Sequence, residues 1–177
     1  MLQKKNAVTH GRRSPFALRF SPAAVSGPRH STYNWVVSGY MPRVGGVIVT
    51  HGQLATELLH AAEMIVGDIS HVRAVSIDWH DDVDMARGII ERAILEADQG
   101  SGVVLLTDLF GGTPTNLVMT YAGPVQVEVI TGVNLPMVIK LATAPTDWTV
   151  LDVARCVIEQ GRKSIHLASE LVRMRTS

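Results

Sequence analysis

Val103-Val104-Leu105-Leu106-Thr107-Asp108-Leu109-Phe110-Gly111-Gly112-Thr113-Pro114-Thr115 joins a short apolar run to a turn built on two glycines and a Thr-Pro pair. Four aliphatic residues in succession read as a strand covered on both faces, since a strand with one wet face would alternate. The strand ends at Asp108. Thr113-Pro114 then opens a helix, with Thr as cap and proline in the first turn, where its missing N–H costs nothing. This strand–turn–helix junction sets the reading of the rest.

Working outward, the same alternation repeats on both sides. Val44 to Thr50 is a first strand, followed by a helix with Leu54, Leu58, Ala61, Ala62 and Ile65 at helical spacing and Gly67 at its end. Val72 to Ile77 is a second strand. Asp82 reads as the N-cap of a helix whose stripe is Ala86, Ile89, Ile90, Ala93, Ile94 and Ala97. After the 103–108 strand and its helix come a fourth strand, Val125 to Thr131, and helices at Leu135–Ala142 and Val150–Gln160. Strands alternating with helices imply an α/β protein, an open parallel sheet with helices on both faces.

Composition of the strands predicts their order. The first and third are continuous apolar runs and belong at the centre. The second carries Arg73 and Ser76, and the fourth alternates Gln126 and Glu128 with valines, as edge strands do. The order is therefore 2-1-3-4. Connections leave the central pair in opposite directions, so the crevice at its C-terminal end is the switch point where open α/β sheets bind ligands. The residues delivered there are His51-Gly52 and Asp108 to Thr115.

Bulk properties narrow the classes. Residues 1–43 carry seven of the 16 basic residues and none of the 16 acidic ones, leaving nine basic against 16 acidic in the remainder. So acidic a body is a poor fit to nucleic acid, which demands neutralised phosphates. Cys156 is the single cysteine, and it reads as a small core hydrophobe. No internal disulfide is possible, which points to a reducing cytoplasm, and no apolar run is long enough for a membrane span. Residues 1–42 are Arg-, Ser-, Pro- and Gly-rich without period and read as a disordered extension, a mis-called start or a cloning remnant, with Met41 as the natural start. Residues 43–177 form the one domain.

At the switch point, a neutral imidazole is a good nucleophile near neutral pH, its ordinary pKa being about 6.5. Asp108 is placed to hold one ring nitrogen of His51 and leave the other free to attack, and to stabilise the substituted cationic ring. Gly111, Gly112 and Thr113 offer close backbone approach and a helix N-terminus to an anionic group. Thr50 is a further candidate contact to a phosphoryl group. A metal site is not expected: His51 and Asp108, with His80 nearby, are too few ligands. No cofactor is expected, and the Walker A pattern is absent. His60, His71 and His166 read as surface or partly buried side chains.

Four segments in order, Val47-Ile48-Val49-Thr50-His51-Gly52, Ala62-Glu63-Met64-Ile65-Val66-Gly67, Leu105 to Asn116, and Ile130-Thr131-Gly132-Val133-Asn134-Leu135-Pro136-Met137, closely resemble the EIIA domain of the mannose-type sugar phosphotransferase system. The resemblance runs from about Val44 to the region of Leu167. It implies that His51 carries a phosphoryl group, with Asp108 as its partner and Thr113 as the hydroxyl residue at the glycine turn. Phe110 and Asn134 are expected to wall the site. Leu109-Phe110 stands where sugar-transport members often have Thr-Trp, which bears on partner preference.

The resemblance also implies a phosphotransferase that takes phosphate from phosphorylated HPr and passes it to an EIIB domain on a separate chain, linked indirectly to a membrane permease. It implies a homodimer in which a C-terminal antiparallel strand, around Ser164–Ala168, is exchanged between subunits. The alternative output is a free-standing regulatory EIIA whose phosphorylation state controls a partner protein. A related rival is the phosphocarrier subunit of a phosphotransferase-dependent dihydroxyacetone kinase, against which the Gly132-Val133-Asn134-Leu135-Pro136 segment weighs.

Overall fold

The two runs free of charged residues, β1 (Gly45–His51) and β3 (Val103–Thr107), lie side by side at the centre of a four-stranded sheet in the computed structural model. The structure describes residues 42–78, 80, 82–123 and 126–175. The expectations about residues 1–41 and about Val125 lie outside them. β2 (Val72–Ile77) flanks β1, β4 (Val127–Thr131) flanks β3, and all three pairings are parallel. The predicted 2-1-3-4 order is the order observed. Its composition logic holds as well: all of β3 is buried, whereas in β4 only Ile130 is.

Helices α1 (Leu54–Val66), α4 (Leu135–Ala142) and α5 (Val150–Lys163) cover one face. On the other lie α2 (Val83–Ala97) and α3 (Thr113–Val118). Alternate residues of each central strand feed the two cores: Ile48, Val104 and Leu106 point to the first, Val47, Val49 and Leu105 to the second. Each such side chain contributes about 2 kcal/mol by leaving water. Close approach is set by Gly45, where an added Cβ would stand 2.3 Å from the Ala97 carbonyl oxygen. The end of α2 therefore rests on the β1 backbone.

The helix starts follow local chemistry. Asp82 caps α2 as predicted, its carboxylate accepting from the Asp84 and Met85 N–H groups. Thr149 and Asp152 form a reciprocal capping box on α5, and Asn134 caps α4 through the Met137 N–H. At α3 the expectation is corrected: Gly112, in extended conformation, is the N-cap, and Thr113 and Pro114 are already inside the helix.

Other boundaries differ. β1 runs one residue further than predicted, so His51 is itself the last strand residue, paired with Ile77. In α1 the buried residues are Ala55 and Ala62, backed by Leu58 and Leu59, while Leu54 and Ile65 face out. Cys156 is half-buried rather than a core residue. Near the C-terminus, Ser164 closes α5, residues 165–167 belong to no strand, and an unforeseen helix α6 (Ala168–Arg175) follows. The antiparallel strand expected at Ser164–Ala168 does not form within the single chain. No described helix is long and apolar enough to cross a membrane.

Candidate functional site

Parallel register places the C-terminal ends of β1 and β3 side by side, with Val49 opposite Thr107. His51 and Asp108 thus meet although 57 residues apart in sequence. One carboxylate oxygen, Oδ2, lies 2.9 Å from His51 Nδ1 and accepts the His51 backbone N–H at 3.0 Å. The other, Oδ1, accepts the Leu109 N–H at 2.9 Å. A carboxylate can only accept, so the proton of the neutral ring sits on Nδ1 and Nε2 presents a lone pair. The His51 side chain is 39% exposed and that of Asp108 16%, so the imidazole reaches solvent while the carboxylate is sheltered.

Burial alone would push the Asp108 carboxyl up, since it penalises the charged form. The His51 ring N–H, the His51 backbone N–H and the adjacent backbone outweigh it and hold the carboxyl below its ordinary range. These contacts favour the charged form of Asp108.

Gly112 borders the ring. A Cβ built on it would stand 2.8 Å from His51 Cε1 and 3.3 Å from Nε2. Any side chain would cover the nitrogen that carries the lone pair. Gly111, at φ +81°, takes a backbone conformation that side chains disfavour. Thr113 shares a cavity of about 210 Å³ with His51, Ile77, Asp78, Val83, Ala86 and Leu117.

The remaining candidates are placed differently. Thr50 is fully buried, and its hydroxyl accepts the Ala55 N–H at 2.7 Å, so it ties β1 to the start of α1. Phe110, 77% exposed, stands on the same turn as Gly112 but lines, with Asn134, a second and larger cavity of about 470 Å³ bounded by β4, α4 and α5. His51 does not line that cavity. Sequence reading missed Asp78 in the His51 cavity and the buried hydroxyls of Thr107 and Thr115 beneath the turn. Two threonines bracketing the turn were the available signal. Among the described residues no group of three or more His, Cys, Asp or Glu side chains is arranged to hold a metal ion.

A parallel 2-1-3-4 sheet with a histidine and an aspartate at its switch point is the frame of a phosphotransferase-system EIIA component. Residues 45–157 match the family described as PTS system fructose IIA component, and the chain belongs to that family. It is 33% identical over 126 residues to the PTS system mannose-specific EIIAB component of Escherichia coli (strain K12), covering 67% of this chain and 38% of that protein. The chain thus spans well under half the length of that relative. It is 23% identical over 125 residues to the PTS system fructose-specific EIIA component of Bacillus subtilis (strain 168), covering 70% of this chain and 86% of that one. Among solved structures, the mannose/sorbose specific IIA subunit of the phosphotransferase system from Enterococcus faecalis superposes with a TM-score of 0.63 at 28% identity, over 71% of this chain and 94% of that one.

Proposed function

We propose that His51 is a phosphoryl carrier. In the forward step the Nε2 lone pair attacks phosphorus on the phosphohistidine of HPr, the N–P bond of the donor breaks, and a new N–P bond forms on His51. The Nδ1 proton stays where it is, held by Asp108, so the product ring is cationic and sits against a carboxylate. Backbone N–H groups of the Gly111–Thr113 turn and the Thr113 hydroxyl receive the phosphoryl oxygens. Transfers of this kind depend on positioning and electrostatics more than on covalent help from the protein. The reverse chemistry passes the group to an EIIB domain, and through it to sugar uptake. No cofactor or metal takes part.

The observation that carries this reading is the bond between His51 Nδ1 and Asp108, which leaves Nε2 open beside a glycine that cannot be replaced without covering it. We take residues 43–177 as the phosphocarrier unit. We also take the working form as a homodimer in which the 164–168 segment of one copy adds to the outer edge of β4 in the other. The resemblance to EIIA domains supports this, as does the outer side of that strand, where no further strand pairs among the described residues and a single bridge joins Gly123 to Val127.

Intact mass after incubation with phosphoenolpyruvate, enzyme I and HPr tests the carrier role. Wild type is expected to gain the mass of one acid-labile phosphate and His51→Gln none. No gain in wild type, with HPr shown to be phosphorylated, rejects it.

A further inference from the structure

Thr107 and Thr115 are hydroxyl side chains in one of the driest parts of the molecule, 0% and 1% exposed. Their oxygens are 2.8 Å apart, and the Thr115 hydroxyl donates to the Leu109 carbonyl oxygen at 2.6 Å. A hydroxyl has one proton to give. That of Thr115 goes to Leu109, so Thr107 must donate to Thr115. The result is a one-way chain from β3, through the first turn of α3, to the residue after Asp108. Successive hydrogen bonds in such a low-dielectric setting polarise and strengthen one another.

The turn that this chain reaches is otherwise held mainly at its far end, where the Asn116 N–H donates to the Gly112 carbonyl at 3.0 Å and the Asn116 side chain to that of Gly111 at 3.4 Å. The Gly112 N–H approaches the same Leu109 carbonyl at 3.4 Å, too long to close the turn firmly. Leu109 and Phe110 are 61% and 77% exposed and gain little from packing. Leu109 is nevertheless where the site's two settings meet, because its N–H binds Asp108 Oδ1 and its carbonyl faces Gly112. At the other end, the Thr107 carbonyl accepts the Val133 N–H at 2.9 Å, which fixes the origin of the chain.

We propose that Thr107 and Thr115 are positioning residues: a buried hydroxyl chain clamps the Asp108–Gly112 turn, so that Asp108 keeps the His51 proton on Nδ1 and Gly112 stays clear of Nε2. The functional meaning rests on the carrier reading of His51, but the state of the ring can be read without any phosphate.

The test combines nitrogen NMR of the His51 ring with kinetics of phosphoryl uptake from phosphorylated HPr, using the full chain. The proteins are wild type, Thr115→Val, Thr115→Ser and Thr107→Val. Wild type is expected to show the Nδ1–H form of the neutral ring. Thr115→Val is expected to shift a clear share to Nε2–H and to slow uptake at saturating HPr about ten- to hundredfold, with KM within about twofold of wild type. Thr115→Ser restores both, and Thr107→Val moves both less in the same direction. Should Thr115→Val not fold, Thr107→Val decides on the same criteria. An Nδ1–H ring and wild-type uptake in the valine variants overturn the proposal, whatever happens to melting temperature. If wild type takes up no phosphate but the ring still follows the hydroxyls, the carrier reading fails and the positioning role stands.

Discussion

At the scale of single residues, the site depends on the space and the charge around one imidazole. Gly112→Ala would put a methyl group 2.8 Å from His51 Cε1, so the ring must tilt away from Asp108 or the turn must move. Phosphoryl uptake is expected to fall about a hundredfold, and the urea midpoint to move little. A stopped-flow assay with phosphorylated HPr checks this; uptake at the wild-type rate would show the turn to be pliable. Asp108→Asn keeps an acceptor for Nδ1–H but removes the charge beside the cationic product. The phosphorylated form is expected to lose its phosphate faster in that variant, followed by intact mass over time. His71 gives a separate pH effect. It is 5% exposed, and burial first, then Arg43, hold its pKa below 6.5, against the pull of Asp68 and the Ala142 carbonyl. The unfolded chain takes up that proton before the folded one, so stability present above pH 6.5 is lost as pH falls from there toward the folded value. Melts between neutral and mildly acid pH should show a flatter decline for His71→Gln; parallel declines would reject the assignment. His51 and Asp108 were legible in the sequence because each directly follows an apolar run. Thr50, Thr107 and Thr115 were not, because a hydroxyl's partner is set by tertiary contact, and the burial of His71 was hidden for the same reason.

Elements impose coarser rules, and most follow from caps and small residues. The Thr149–Asp152 box closes the start of α5, and Thr149→Ala is expected to cost about 1 kcal/mol, read from urea denaturation. Gly45→Ala is expected to cost more, about 3 kcal/mol, because the obstruction is the backbone of Ala97 and cannot rotate away. A loss below that of Thr149→Ala would mean that α2 slides freely on the sheet. Periodicity located the helices but not always their buried face. In α1 the Thr50 hydroxyl holds the Ala55 N–H, which turns the alanine side toward the sheet and leaves Leu54 outside. No count of hydrophobic spacing contains that bond. α6 carries a weak apolar signal and is exposed over residues 168–173, which is why the pattern did not announce it.

The whole molecule was read mainly through contrast between strands: continuous apolar runs at the centre, mixed ones at the edges. What contrast within one chain does not encode is how the edge of β4 is finished. Phe110, Met119 and Ile165 are at least half exposed around the cavity beside that strand, more apolar surface than an isolated chain gains from showing to water. Light scattering is expected to give the mass of two chains, and Ile165→Asp to shift it toward one; a monomeric wild type would reject the dimer. One last consequence concerns time. The imidazole and its carboxylate arrive from segments 57 residues apart and touch only once β1 and β3 have paired in parallel. Closing so long a loop costs chain entropy before any contact offsets it, so this pairing is expected to come late in folding. Phosphate acceptance during refolding should therefore rise with the last kinetic phase. On the carrier reading of His51, a chain whose sheet is incomplete is expected to take up no phosphate.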